Sequence, residues 1–237
     1  MKMKRSLPVK VAIIDNSLFP EIYRPVVHWS KYLTVPWQAF RARERQWPSL
    51  NQDFTHFILT GSEATILEKE LWVEEETELL RQLVDRGYPV LGSCWGHQLL
   101  AVALIGEQAV RRCEQPEIGW IEVKVTNPSS IIGASDNFYS FSIHFDEVCQ
   151  VNDEFEVIAT SPLCPIQAMA MKKKPVWGIQ FHPEIEVDEA REFLQLLIEN
   201  GIGETKYFER ALTSSPQDSG QVKVIIHNFL KSTRREP

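Results

Sequence analysis

The residues best suited to chemistry lie in PVLGSCWGHQLLA, residues 89–101, where an apolar run meets Gly92-Ser93-Cys94-Trp95-Gly96 and then a helical pattern. Small residues two before and two after a nucleophile let a strand turn sharply into a helix. The side chain is then thrust out at the carboxyl end of a sheet. Gly92 and Gly96 occupy those positions around Cys94. A thiol there sits at the positive end of the helix dipole, which favours the thiolate, the form that attacks a carbonyl. A buried structural cysteine would not require glycine on both sides, so Cys94 is the expected nucleophile.

A thiolate nucleophile usually works with an imidazole base that an acceptor holds in orientation, the partners being distant in sequence and close in the fold. GIQFHPE, residues 178–184, supplies both. Val176–Phe181 reads as a strand, which puts His182 and Glu184 at its end, two apart, with Pro183 stiffening the exit. His182 is the expected base and Glu184 the carboxylate that fixes its tautomer. A lone His-x-Glu is a weak signal, and the elbow at Cys94 makes it a strong one. Acyl transfer also needs donors for a developing oxyanion. The amide of Trp95, directly after the nucleophile, is one. The other is expected from the loop in HFILTGSEATI, at Gly61 and Ser62, where glycine lets the backbone approach a substrate closely.

These segments need a scaffold that brings strand ends together. Short apolar runs alternate with longer helical patterns over the first half, as in a parallel sheet with crossover helices. Val9–Ile14, Phe54–Leu59 and the run opening at Val90 read as strands, Glu21–Leu33 and Leu71–Arg86 as helices, the latter ended by Gly87 and Pro89. After Gly106 the pattern is β-rich: Trp120–Val125, Phe138–Ile143, Phe155–Ala159, Ile166–Met171 and Val176–Phe181. Glu189–Glu199 returns to helical spacing and closes at Asn200-Gly201. The expected fold is α/β: a mostly parallel sheet flanked by helices, a flavodoxin-like three-layer architecture, with an added β layer in the second half. Residues 1–203 are expected to form one domain and 204–237 a C-terminal helical extension. In the extension, linker-like Thr213-Ser214-Ser215-Pro216 precedes an amphipathic stretch from Val222 to Leu230 that docks on its own domain or on a partner.

Composition narrows the function further. A formal charge of −7 argues against nucleic acid, whose binding rests on clustered Lys and Arg. The short basic runs, Arg41-Arg43-Arg45 broken by Glu44 and Lys172–Lys174 before Pro175, read as solvated turns. Four cysteines without C-x-x-C spacing fit a reducing cytoplasm. The start, MKMKRSLPVKVAIID, has too short an apolar stretch for a signal sequence, and no segment approaches the ~20 apolar residues of a membrane span.

Taken together and in this order, ILTGS, GSCWGHQ and FHPE resemble the class I glutamine amidotransferase family over roughly residues 9–199. The resemblance implies a γ-glutamyl thioester on Cys94 with release of ammonia, His182 and Glu184 completing the triad, Gly61 and Trp95 as oxyanion donors, Gln98 near the bound glutamine, and no cofactor. EIGW, residues 117–120, looks like the family's turn into the strand after the elbow helix. SIHFDEV, residues 142–148, resembles the Ser-His-Gly-Asp stretch bordering the pocket in the glutaminase part of GMP synthase. Ile143 and Phe145 replace its serine and glycine, while His144 and Asp146 remain and become candidate substrate-binding residues. Structural or metal-ligating roles are the alternatives for these two, although one His-x-Asp pair is too few for a metal site.

The expected function is a glutaminase feeding ammonia to a synthase. With no second domain in the chain to activate an acceptor, the synthase would be a separate polypeptide. A stand-alone hydrolase of γ-glutamyl amides or peptides would use the same nucleophile, with water as acceptor. A catalytically idle binding module is the third reading, against which the intact Cys94, His182 and Glu184 set argues.

Overall fold

The computed structural model describes residues 7–51, 53–68, 70–133 and 137–235, so the basic residues 1–6 of the start lie outside it. Its frame is one nine-stranded sheet. The strands are β1 (Val11–Asp15), β2 (Trp37–Arg41), β3 (His56–Leu59), β4 (Val90–Ser93), β5 (Val110–Val125), β6 (Phe138–Val148), β7 (Phe155–Thr160), β8 (Ala168–Met171) and β9 (Val176–Ile179), in the order β2-β1-β3-β4-β9-β8-β7-β5-β6. From β2 to β9 the neighbours run parallel. From β9 through β8 and β7 to the β5–β6 ribbon they run antiparallel. The β-rich second half therefore extends the parallel sheet by hydrogen bonding onto its β9 edge.

β1, β3, β4 and β9 are buried along their whole length, which is why they read as continuous apolar runs instead of alternating ones. Successive side chains of β1 point to opposite faces: Ala12 and Ile14 join one apolar cluster, Val11 and Ile13 another. The first cluster packs against α2 (Leu71–Asp85) and α3 (Trp95–Leu104), the second against α1 (Pro25–Ser30) and α6 (Val222–Lys231). α4 (Val187–Glu199) and α5 (Thr205–Thr213) build a third cluster with Tyr23 and Phe141 near the strand ends. None of the described helices is long and apolar enough to cross a membrane.

β5 and β6 are longer than the sequence reading, starting at Val110 and ending at Val148 respectively, and two other elements differ from it for local reasons. The helix expected over Glu21–Leu33 shrinks to Pro25–Ser30. Proline lacks an N–H and is tolerated only in the first turn, and residues 19–23 form a turn closed by Ile22 and Tyr23 amides on Phe19 O. β2 has no counterpart among the expected strands. It is an edge strand whose buried side reduces mainly to Phe40, so it leaves almost no alternation to detect.

Candidate active site

At the end of β4 the chain turns straight into α3, and Cys94 is the residue on the corner. Its φ of 50° and ψ of −106° lie in the left-handed half of backbone space, which costs a non-glycine residue of the order of 1–3 kcal/mol. The surroundings hold it there. The Cys94 amide donates to Ile179 O on β9 (2.8 Å), the Gly96 amide to Thr60 O after β3 (3.1 Å), and the Gln98 amide to Cys94 O (3.1 Å).

Both flanking glycines are sterically required. A Cβ on Gly92 would lie 2.4 Å from Gly96 O, and one on Gly96 would lie 2.4 Å from Leu59 O. Because these are backbone obstacles, relief demands moving the strand. Gly96→Ala is expected to cost about 1–3 kcal/mol, seen as a fall in Tm of roughly 2–4 °C per kcal/mol at this chain length. Wild-type stability of that variant would mean the elbow has slack.

His182 arrives from β9, its amide bonded to Phe141 O of β6 at 2.8 Å. Nδ1 meets Glu184 Oε1 at 2.8 Å. Cys94, His182 and Glu184 are 6 %, 2 % and 0 % exposed. Burial alone would lower the basicity of the imidazole, but the negative charges of Glu184 and Cys94 and hydrogen bonds to both outweigh it and lift His182 from 6.5 to about 10. The imidazolium is therefore the form of His182 this environment favours.

Gly61 closes the site from the β3 side. A Cβ there would sit 2.9 Å from His182 Cε1 and 3.4 Å from Cys94 Cβ, so only glycine leaves those two side chains room. The Trp95 amide is the first of α3 and has no carbonyl one turn back to bond. The Trp95 ring stacks on Trp72 (centroids 5.0 Å apart), which fixes that corner.

The loop after β3 is itself anchored. Asn16 holds Thr60 through its amide (2.9 Å to Oγ1) and its side chain (3.2 Å to O). The Glu63 carboxylate accepts the amides of Leu18 (2.8 Å) and Phe19 (3.3 Å), and burial pushes its pKa up to about 7.

One pocket opens over Cys94, lined also by Trp95, Gln98, His144, Asp146 and His182. Gln98 donates to Asp146 O (2.8 Å) and Gln180 Oε1 (3.3 Å). His144 meets Glu117 Oε2 (3.3 Å), Asp146 O (3.1 Å) and Cys113 Sγ (3.5 Å). Asp146 pairs with Arg112 (3.2 Å) and accepts Thr65 Oγ1 (2.5 Å). Gln98 and His144 are thus both tied to the Asp146 main-chain carbonyl and the Asp146 carboxylate to Arg112 and Thr65, leaving few of their polar atoms for a substrate. Among the described residues no three His, Cys, Asp or Glu side chains are grouped to hold a metal ion.

Ile143 brings its backbone carbonyl to the site, 3.6 Å from Cys94 Sγ, a contact that does not depend on the side chain that differs from the resembled motif. Sequence reasoning missed several lining residues: Tyr23, Glu63, Arg112 and the α4–α5 wall of Phe193, Leu197 and Phe208. Only Glu63 carried a signal, as the acid directly following Gly61-Ser62. The rest come from segments with no motif of their own.

The glutamine amidotransferase class-I family profile matches residues 12–202. A GMP synthase (glutamine-hydrolyzing) of Clostridium novyi is 40% identical over 110 residues, 45% of this chain and 20% of that protein. A glutamine-hydrolyzing GMP synthase subunit of Methanocaldococcus jannaschii is 41% identical over 114 residues, 48% of this chain and 60% of that protein. The matches thus span less than two thirds of these relatives. Among solved structures, a glutamine amidotransferase of Methylobacillus flagellatus superposes with a TM-score of 0.75 at 21% identity, covering 98% of this chain and 97% of that one, a likeness of fold.

Proposed function

The chain belongs to the class-I glutamine amidotransferase family, and from that premise we propose that it hydrolyses the side-chain amide of glutamine through Cys94 and passes the ammonia to a separate synthase. The observation carrying this reading is the corner residue Cys94, strained at φ 50°, beside a His182 lifted to about 10 and locked on Glu184. The Cys94 thiolate attacks the amide carbon and the carbonyl π electrons move to oxygen, where the Gly61 and Trp95 amides receive the oxyanion. The intermediate collapses and the C–N bond breaks as the His182 imidazolium protonates the leaving nitrogen, so ammonia departs and a thioester remains. Water then adds to the thioester, giving a proton to neutral His182. Glutamate leaves with the new C–O bond, and Cys94 recovers the electron pair of the C–S bond. Glu184 keeps the imidazole oriented throughout. Gln98, His144 and Asp146 act as the shaped wall against which the glutamyl group lies.

A synthase-linked glutaminase has reason to be idle alone, since ammonia without an acceptor is wasted. If the synthase completes the alignment of the loop bearing Gly61, the isolated chain lacks a donor worth ~2.7–4 kcal/mol, a rate deficit of roughly two to three orders. The purified chain is expected to release ammonia from glutamine slowly and to accelerate by that factor with its synthase. Turnover by the chain alone near the ~10 per second typical of enzymes would instead favour a stand-alone hydrolase of γ-glutamyl amides or peptides. A structural feature gives that second reading its footing: α5 and the Gly203-Glu204 turn, beyond the family match, wall one side of the pocket with Phe208. A panel of γ-glutamyl amides with bulky leaving groups separates the two.

A further inference from the structure

Tyr23 enters the site from the turn before α1, a segment that no motif marks. Its side chain is 2 % exposed, and its hydroxyl has no hydrogen-bond partner among the described residues. Buried hydroxyls are nearly always paired, and an unpaired one in a reaction pocket asks what it is for. The ring is held on three sides: stacked on Phe193 (centroids 5.1 Å apart, 22° between planes), edge-on to His182 (6.0 Å, 87°) and tilted against His28 (5.9 Å).

That fixed ring aims its oxygen at the space in front of Gly61. The Cβ position that glycine leaves empty lies 2.8 Å from Tyr23 Oη, 2.9 Å from His182 Cε1 and 3.4 Å from Cys94 Cβ. One point is thus shared by a free donor, the proposed base, the proposed nucleophile and the oxyanion loop. Burial, with the carboxylate of Glu184 and the charge of Cys94 next in weight, holds the phenol well above its usual range, so it remains an O–H donor at any working pH.

We propose that the Tyr23 hydroxyl is a catalytic donor: it hydrogen-bonds the oxygen of the acyl group attacked by Cys94, as a side-chain member of the oxyanion hole beside the Gly61 and Trp95 amides. Three features favour the acyl oxygen as its acceptor. That oxygen gains negative charge in the transition state, it must lie next to Gly61, and the donor is preorganised without a competing partner among the described residues. The role rests on the amide-hydrolysing reading of the site.

Tyr23→Phe is the discriminating variant, because it keeps every ring contact and deletes only the oxygen. The expected result is a fall in kcat of about 10²–10³-fold, the loss usual for one oxyanion donor, with KM within about twofold and Tm unchanged. A glutamate derivative carrying an aldehyde in place of the amide gives a readout independent of turnover. Cys94 Sγ adds to its carbonyl carbon, the C=O π bond opens, and the oxygen takes the oxyanion position as in the intermediate. Its affinity should fall in Tyr23→Phe by a factor comparable to kcat. Wild-type kcat and aldehyde affinity in the variant would overturn the proposal. So would accumulation of the γ-glutamyl thioester in Tyr23→Phe with an undiminished acylation burst, which would assign the hydroxyl to the hydrolytic water. Cys94→Ala measured in parallel tests the underlying reading by itself, so failure of one is distinguishable from failure of the other.

Discussion

Replacing Cys94 with alanine is expected to reduce glutamine hydrolysis by on the order of 10⁶, in practice to the detection limit, as removing a covalent nucleophile does. The fold should survive. The substitution removes the sulfur's contacts to Ile143 O (3.6 Å) and to His182 and leaves the backbone bonds to Ile179 and Gln98 in place. Alanine keeps the Cβ that the corner already accommodates, so a change in Tm beyond a few degrees is not expected. Mass spectrometry of wild type quenched during turnover should find a γ-glutamyl adduct on Cys94 and none in the variant. Near-normal turnover by Cys94→Ala, or an adduct on Cys113, Cys149 or Cys164, would end the assignment. The latter is disfavoured physically for two of the three. Burial raises the Cys113 thiol to about 12 and Cys164 well above its usual range, so neither is a ready thiolate.

How much of this was legible in the sequence depends on whether a residue's neighbours are local. The elbow was legible because its constraint is: the clash that forbids a side chain at Gly92 is with Gly96 O, four residues away. β1, β3, β4 and β9 were legible because strands buried on both faces are apolar along most of their length. The union of β4 with β9 could be inferred only from two motifs that make chemical sense together. The bond that completes it, His182 N to Phe141 O, joins residues of unrelated pattern. Tyr23 was illegible for the same reason. A tyrosine in an apolar turn reads as core, and its ring does pack in one, while its hydroxyl acquires meaning only when Gly61 arrives from another strand. The 143–146 stretch was partly misleading, since side-chain differences drew attention to Ile143 although the atom that contacts Cys94 is its backbone carbonyl.

His182→Asn is expected to lower kcat/KM about 10²–10⁴-fold, the range for losing a general acid and base. The pH dependence is what distinguishes its role from packing. With His182 lifted to about 10, the imidazolium that protonates leaving ammonia persists through the neutral range, and the alkaline limb of wild-type kcat/KM should fall near 10. Glu184 is the largest of the influences that raise it, acting over the 2.8 Å contact to Nδ1. Glu184→Gln should therefore cost less than His182→Asn in rate yet move that limb to lower pH. Stability follows the same linkage. A histidine whose folded pKa exceeds its unfolded ~6.5 contributes stability that is fully present below that value. The contribution is lost as pH rises through the folded pKa. Wild-type Tm should thus decline from neutrality toward about 10, and the decline should be smaller in Glu184→Gln, where the two pKa values are closer. An alkaline limb that stays in place when Glu184 loses its charge would show that another acid orients His182. The neighbours of Glu184 make that outcome a demanding one to explain, because its carboxylate is wholly buried and Oε2 has no other partner among the described residues. Its Oε1 faces the imidazole at 2.8 Å, which is why removing either member should be felt at the other.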